Sequence, residues 1–140
     1  MARTVDGALP VAFHYTPGVG NTAFFEALRD RGVLLGSRCD ACAFTYLPAR
    51  IFCERCFAEL EAETECGPRG TLESFTVGHV GIDGELLAKP ATIGLVKVDN
   101  ADTLLMHHLL GDADIGARVR AVLNPDRVGS ILDIEGFSPV

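Results

Sequence analysis

Lysine is nearly absent from this chain: Lys89 and Lys97 are the only two among 140 residues, and Asp plus Glu outnumber Lys plus Arg 19 to 12. Non-specific binding to a nucleic-acid duplex depends on many cations that displace condensed counterions. A formal charge of −7 and a pI near 4.9 therefore argue against that class of partner. Long apolar runs are missing as well. Hydrophobic residues make up 48% of the chain and the mean hydropathy is +0.24, yet no stretch approaches the roughly 18 consecutive apolar residues of a membrane span. Between Met1 and Pro10 stand Arg3, Asp6 and Gly7 and no apolar h-region, so no export signal is visible and the cytoplasm is the expected compartment. The apolar excess then belongs to strands buried on both faces or to a face reserved for another protein.

What is present begins with cysteine. Cys39 and Cys42 form one C-x-x-C pair, and ten residues separate it from a second, Cys53 and Cys56. A two-residue spacing lets a tight turn aim both sulfurs the same way. Two such turns face to face supply the four soft thiolates of a tetrahedral, closed Zn²⁺ site. The alternatives are two disulfides or scattered buried thiols, and a reducing cytoplasm disfavours the first. A ribbon of some thirty residues is too small to hold itself by burial. The metal would supply the folding energy, on the order of 10–16 kcal/mol for structural zinc. Phe44, Tyr46, Ile51 and Phe52 lie between the knuckles and can wrap the thiolates, and Pro48 marks a turn or edge. With every coordination position taken by protein, none is left for water or substrate, so the metal is read as structural. An iron-loaded, rubredoxin-like electron carrier is a further reading of the same ligands.

The pattern divides the chain into an N-terminal arm and short helix over 1–32, a metal ribbon over 33–66 and a β-rich part over 67–140. Pro10, Pro17, Gly18 and Gly20 break any regularity in the arm. The helix is expected to start at Asn21 or Thr22, either of which can cap it. Phe24, Phe25 and Leu28 give it an apolar stripe that docks on the core, Arg29 and Arg31 suit its C-terminal dipole, and Gly32 is a natural C′ residue. After Gly67-Pro68-Arg69-Gly70, five strands are read: Thr71–Val80, Ala91–Val98, Thr103–Leu110, Arg118–Leu123 and Ser130–Phe137. The fold class is mainly β: helix and rubredoxin-like Cys₄ ribbon, then a five-stranded OB-fold barrel. A β-sandwich fragment is the alternative. The span from Gly111 to Gly116 is too short for the helix often found between the third and fourth OB strands.

Several other residues invite chemistry and do not sustain it. Cys66 has no base aimed at it by any neighbouring motif and closes an acidic strand (Glu61, Glu63, Glu65). His107 and His108 are adjacent, so on a strand they face opposite ways and cannot chelate one ion; one is expected at the surface and the other packed and hydrogen-bonded. His14 and His79 are isolated. Gly18-x-Gly20-x-x-Ala23 matches a dinucleotide fingerprint in letters, but Pro17 precedes it instead of a buried strand. Asp112 and Asp114 offer too few oxygens for calcium. From Arg29 to Cys56, however, five arginines (Arg29, Arg31, Arg38, Arg50, Arg55) face three acids, Asp30, Asp40 and Glu54. That island suffices for a phosphate or two, and the alternative is a set of ordinary solvated charges and ion pairs.

The order F-F-E-A-L, R-C-D-A-C, Y-L-P-A-R, C-E-R-C, G-T-L-E-S-F-T-V and, later, I-G-A-R-V-R-A-V resembles the zinc-ribbon plus OB-fold family found beside thiolases, once labelled a domain of unknown function. The resemblance covers nearly all of the chain after residue 20. Two departures stand out: the family usually has Gly just after each knuckle, where this chain has Ala43 and Phe57. A left-handed non-Gly residue there costs roughly 1–2 kcal/mol, so those turns are candidates for rearrangement. The resemblance implies a non-catalytic accessory subunit that stabilises a thiolase-fold large subunit and shapes or gates its CoA site. Family members serve acyltransferases of sterol side-chain or aromatic degradation, such as benzoylsuccinyl-CoA thiolase. It implies structural Zn²⁺ on Cys39, Cys42, Cys53 and Cys56, and an acyl-CoA thioester shared with the partner, for whose phosphates Arg50, Arg38 and Arg55 are the candidates. The rival from another class is a single-stranded nucleic-acid module. The barrel has few of the exposed aromatics and cations that such a role requires.

Overall fold

A computed structural model describes Arg3, Thr4, Gly7, Ala8 and residues 10–140. Within the arm, Met1, Ala2, Val5, Asp6 and Leu9 of the sequence reading lie outside the described residues, and 10–18 form no regular element. No described helix is long and apolar enough to cross a membrane.

Helix α1 (Val19–Arg31) begins earlier than Asn21 or Thr22, and neither caps it. Gly18, at φ 81°, occupies the N-cap, and its carbonyl accepts the Thr22 N–H at 2.9 Å. The Asn21 side chain instead donates back to the Pro17 carbonyl at 3.1 Å. Gly20 is needed in the first turn for contact reasons: a Cβ there would lie 2.5 Å from the Ala49 carbonyl oxygen. At the other end Gly32 takes the expected left-handed conformation, φ 66°. Its N–H reaches the Leu28 carbonyl at 3.0 Å while that of Val33 reaches Ala27 at 3.5 Å, which satisfies the last helical acceptors. Phe24 and Leu28 are fully buried, so the apolar stripe docks on the core.

Strands β1 (Leu34–Cys39), β2 (Phe44–Tyr46) and β3 (Ala62–Cys66) form an antiparallel sheet in the order β2-β1-β3. Next come β4 (Arg69–Val80), β5 (Leu86–Val98), β6 (Leu104–His108), β7 (Arg118–Leu123) and β8 (Ile134–Pro139), ordered β6-β5-β4-β7-β8. The sheet curls until its two ends meet. Leu109 and Phe137 form a parallel bridge, and the Leu110 N–H donates to the Phe137 carbonyl at 2.7 Å. Five strands closed in this way are the OB-type barrel read from the sequence.

Two of the expected strands need correction. The second begins at Leu86 instead of Ala91, because Pro90 sits beside a register shift, on a stretch of β5 that β6 does not pair, so no ladder bond is lost. The fifth begins at Ile134 instead of Ser130. Ser130 and Asp133 form a capping box around a 3₁₀ turn, Ile131–Asp133, that precedes it.

One apolar cluster runs from α1 (Phe24, Leu28) through the root of the ribbon (Leu34, Leu47) into the barrel (Leu72, Val96, Val98, Val119, Phe137). Each such side chain contributes about 1.5–3 kcal/mol by leaving water. A second, smaller cluster of Cys39, Tyr46 and Cys53 fills the tip of the ribbon. The ribbon is also tied to the β5–β6 turn by hydrogen bonds. The Asp102 carboxylate accepts the Thr45 N–H at 2.9 Å. The Thr103 hydroxyl accepts from the Leu47 N–H and donates to the Leu47 carbonyl, both at 2.8 Å.

Candidate metal centre

The first knuckle is the turn between β1 and β2. Cys39 ends β1, and the Ala43 N–H returns to the Asp40 carbonyl at 3.3 Å. The second is a miniature hairpin. The Phe57 N–H bonds the Cys53 carbonyl, the Cys53 N–H bonds Ala58 and the Leu60 N–H bonds Ile51, all at 2.9 Å. Ala43 and Phe57 sit at φ 49° and 62°. The turns are therefore not rearranged: both knuckles keep the left-handed position and carry a side chain in it.

This geometry gathers Cys39, Cys42, Cys53 and Cys56 with every sulfur within 4.8 Å of the others. The Cys39–Cys56 and Cys42–Cys53 sulfurs are 3.5 and 3.8 Å apart. Sulfurs at the corners of a tetrahedron around Zn²⁺, each about 2.3 Å from the ion, would be about 3.8 Å apart. Four thiols with no oxygen or nitrogen donor among them fit that ion and leave it no open position.

Tyr46, fully buried, holds its hydroxyl 3.3 Å from the Cys53 sulfur, and the Arg55 N–H points at the same sulfur from 3.4 Å. The Tyr46 hydroxyl, helped by backbone N–H groups, draws the Cys53 thiol down to about 6 against the opposing effect of burial. The same bond to Cys53 pushes the Tyr46 phenol up to about 12. Cys42, bonded to Cys56 and then penalised by burial, is pushed up to about 12. Four adjacent thiols cannot all ionise alone, so a metal must displace protons to bind, and Cys53 is the ligand already prepared.

The arginines are packed around this core. Arg55 lies over the Phe44 ring at 3.9 Å, Phe44 meets Tyr46 at 4.8 Å between centroids, and Arg50 lies over Tyr46 at 4.9 Å. The result is a run of cation, ring, ring and cation contacts, with the two rings tilted by 55°. Arg50 also pairs with Glu54 at 2.7 Å, and Arg38 pairs with Asp40 at 3.3 Å and bonds the Thr45 hydroxyl. Arg50 opens on a depression of 520 Å³, between the start of α1 (Gly18, Gly20) and the ribbon (Pro48, Phe52).

The remaining candidates separate cleanly. Cys66 is buried, its sulfur 3.7 Å from the Thr64 and Asn100 carbonyls, and burial pushes its thiol up to about 11. His107 is packed, with its Nε2 3.2 Å from the Ile131 carbonyl, while His108 is exposed. Asp112 and Asp114 are in a surface loop, and Gly18 and Gly20 lead into α1. The sequence reading missed Asp133. Its carboxylate, 2% exposed, accepts N–H groups from Val128 at 2.9 Å, Gly129 at 2.7 Å and Ser130 at 3.3 Å. Burial alone would raise its pKa, but these bonds and Arg127 bring it below the usual carboxylate range. The spacing Ser130-x-x-Asp133 is a capping-box signature and could have revealed it.

Residues 27–61 match the ChsH2 rubredoxin-like zinc ribbon domain, and residues 63–124 match the ChsH2 C-terminal OB-fold domain. No curated protein matches the chain. Among solved structures it is similar to a protein of unknown function from the DUF35 family of Sulfolobus solfataricus, at 29% identity over 71% of this chain and 74% of that one, with a TM-score of 0.61. The Ltp2-ChsH2(DUF35) aldolase shares the fold, with a TM-score of 0.65 and 23% identity over 90% of this chain and 98% of that one. Ribbon and barrel match in the same order, together cover more than half of the residues, and place the four cysteines where a ribbon needs them: the chain belongs to the ChsH2/DUF35 family of zinc-ribbon plus OB-fold proteins.

Proposed function

We propose that this protein is the non-catalytic accessory subunit of a heteromeric, thiolase-class enzyme acting on acyl-CoA thioesters. It stabilises a thiolase-fold large subunit and completes that subunit's CoA site. The observation that carries the reading is the closed set of four thiolates: a Zn²⁺ held by Cys39, Cys42, Cys53 and Cys56 acts as a scaffold, with no position for substrate. Cys66, buried and with its thiol at about 11, is poorly suited to nucleophilic attack. A solved relative of the same fold bears the name of a paired Ltp2-ChsH2(DUF35) aldolase, which supports a two-subunit arrangement.

Arg50 is the residue best placed to meet a CoA phosphate. It lines the depression beside the start of α1, whose first turn carries no acidic residue, and helix N–H groups there favour an anion. A phosphate would replace Glu54 on its guanidinium. Arg38 and Arg55 would contribute charge from the same ribbon.

Co-expression with a thiolase-fold subunit from the same cell tests the reading. The complex is expected to co-purify, and the large subunit alone to be unstable or inactive. Arg50→Ala should raise KM for the acyl-CoA more than it lowers kcat. A large subunit fully active by itself, or thioester turnover by this chain alone, refutes the assignment.

A further inference from the structure

Beyond Thr71, β4 leaves its neighbour β7 and stays paired with β5 alone, and past the end of β6 the two strands run on as a two-stranded arm. Residues 73–77 and 79–80 are exposed there. On the side away from β5 this stretch pairs with nothing among the described residues. The direction of its backbone groups follows from the ladder. The Thr92 carbonyl accepts the Leu109 N–H at 2.9 Å, on the far side of β5. Its register partner Val77 therefore turns its own N–H and C=O away from β5, and Phe75, two residues back in an unbroken register, does the same.

Edges of this kind are ordinarily blunted by lysine, proline or a covering loop. On the arm's other strand the outer edge carries Lys89 and Pro90. The β4 edge, Glu73-Ser74-Phe75-Thr76-Val77-Gly78-His79, has neither.

That sequence is complementary to itself. Laid antiparallel on a second copy with Thr76 opposite Thr76, it sets Phe75 against Val77, Ser74 against Gly78 and Glu73 against His79. Each apolar residue then meets an apolar one, in a pair of the type that stabilises sheets, and at the two ends of the regular stretch, where the register of β4 shifts, a carboxylate comes opposite an imidazole. Phe75 and Val77, whose N–H and C=O groups point outward, fall opposite one another as a hydrogen-bonded pair. Shifting the centre to Phe75 or to Val77 removes the Glu73–His79 match.

We infer that the free edge of β4 is a homodimerisation surface, joining two copies of this chain through β4–β4 antiparallel pairing about a two-fold axis at Thr76. The contact is isologous and leaves the ribbon, its cysteines and Arg50 unobstructed, so it goes beyond the accessory role proposed above and does not depend on it.

Sedimentation of the zinc-loaded full chain over a wide concentration range is the test. A reversible monomer–dimer equilibrium is expected. Val77→Pro removes only an outward N–H, and Phe75→Lys introduces a like-charge pair across the axis. Each should weaken the dimer roughly tenfold or more while thermal melting of the monomer stays nearly unchanged. Glu73→His should weaken it too, and the double exchange Glu73→His with His79→Glu should restore it, since the swapped pair is again complementary. A chain that stays monomeric at all concentrations overturns the proposal. So does a dimer that withstands Phe75→Lys, or a double exchange that fails to recover what the single one loses.

Discussion

Asp133 ends the 3₁₀ turn and His107 bonds the carbonyl of its first residue, Ile131, and each is held by backbone bonds that specify its charge state. The Asp133 carboxylate ties together Val128, Gly129 and Ser130. Asp133→Ala leaves those N–H groups without their partner in a nearly closed site. It is expected to lower stability by about 1.5–3 kcal/mol, the usual range for a hydrogen bond to a charged group, as read by urea denaturation. His107 is neutral. Its Nδ1 accepts the His108 N–H at 2.9 Å, so its Nε2 carries the proton and donates to Ile131. Burial, reinforced by His108, depresses its pKa below the usual 6.5 despite the opposing bond to Ile131. Its contribution is then complete above the unfolded value of about 6.5 and is lost as pH falls from there through the depressed folded value, because the unfolded chain takes up the proton first. The melting temperature should fall as the pH drops below about 6.5, and less steeply in His107→Gln. That one of the two histidines would be buried could be read from strand alternation alone. Asp133 was harder to see, because its ligands are three consecutive N–H groups that become convergent only once the loop has closed.

At the scale of the element, the two knuckles show how much a metal ribbon tolerates. Ala43 and Phe57 hold φ 49° and 62°, a conformation that costs an L-residue roughly 1–2 kcal/mol. The spacing of the cysteines demands the turn, and the side chain accepts the strain. Phe57 is 79% exposed and loses little packing if removed. Ala43→Gly and Phe57→Gly should each stabilise the protein by about 0.5–1 kcal/mol, since the relief of strain exceeds the added chain entropy of glycine. A fall in melting temperature in either variant would show that the turns carry no strain. The knuckles, the C′ glycine of α1 and the fourth barrel strand were legible because each follows from local chemistry: spacing, φ, alternation. The start of α1 was not, because Gly20 is chosen by the approach of Ala49 from the ribbon, a contact between residues distant in sequence, and Gly18 by the φ of 81° it takes at the N-cap. The start of β5 was missed for a similar reason. Pro90 reads as a strand breaker until the strand beside it is known to be absent.

At the scale of the molecule, the sulfur cluster and the main core are separate bodies joined by β1, β2 and the hydrogen bonds from Asp102 and Thr103. The main cluster contains none of the four metal-site cysteines, and the tip cluster gathers three of them, Cys39, Cys42 and Cys53, with Tyr46, Phe44 and Leu60. The tip cannot hold itself by burial, whereas α1 and the barrel can. Loss of the metal should therefore melt the two knuckles, residues 39–46 and 51–60, and spare the rest, including Leu47 and Ala49 of the main core, in contrast to small zinc domains that unfold entirely. The chain offers a direct readout, since it has no tryptophan and two tyrosines, Tyr46 fully buried beside Cys53 and Tyr15 84% exposed. Chelation should change Tyr46 emission and near-UV dichroism and abolish amide protection across the two knuckles. Protection in β4, β5 and β7 should persist, and one zinc per chain should restore the original signal. Cys53→Ser should reproduce the chelated state, because it removes the thiol that Tyr46 and the Arg55 N–H prepare for ionisation. If protection in the barrel strands collapses together with that of the ribbon, the metal is holding the shared core and not only the tip, and the two clusters form a single cooperative unit.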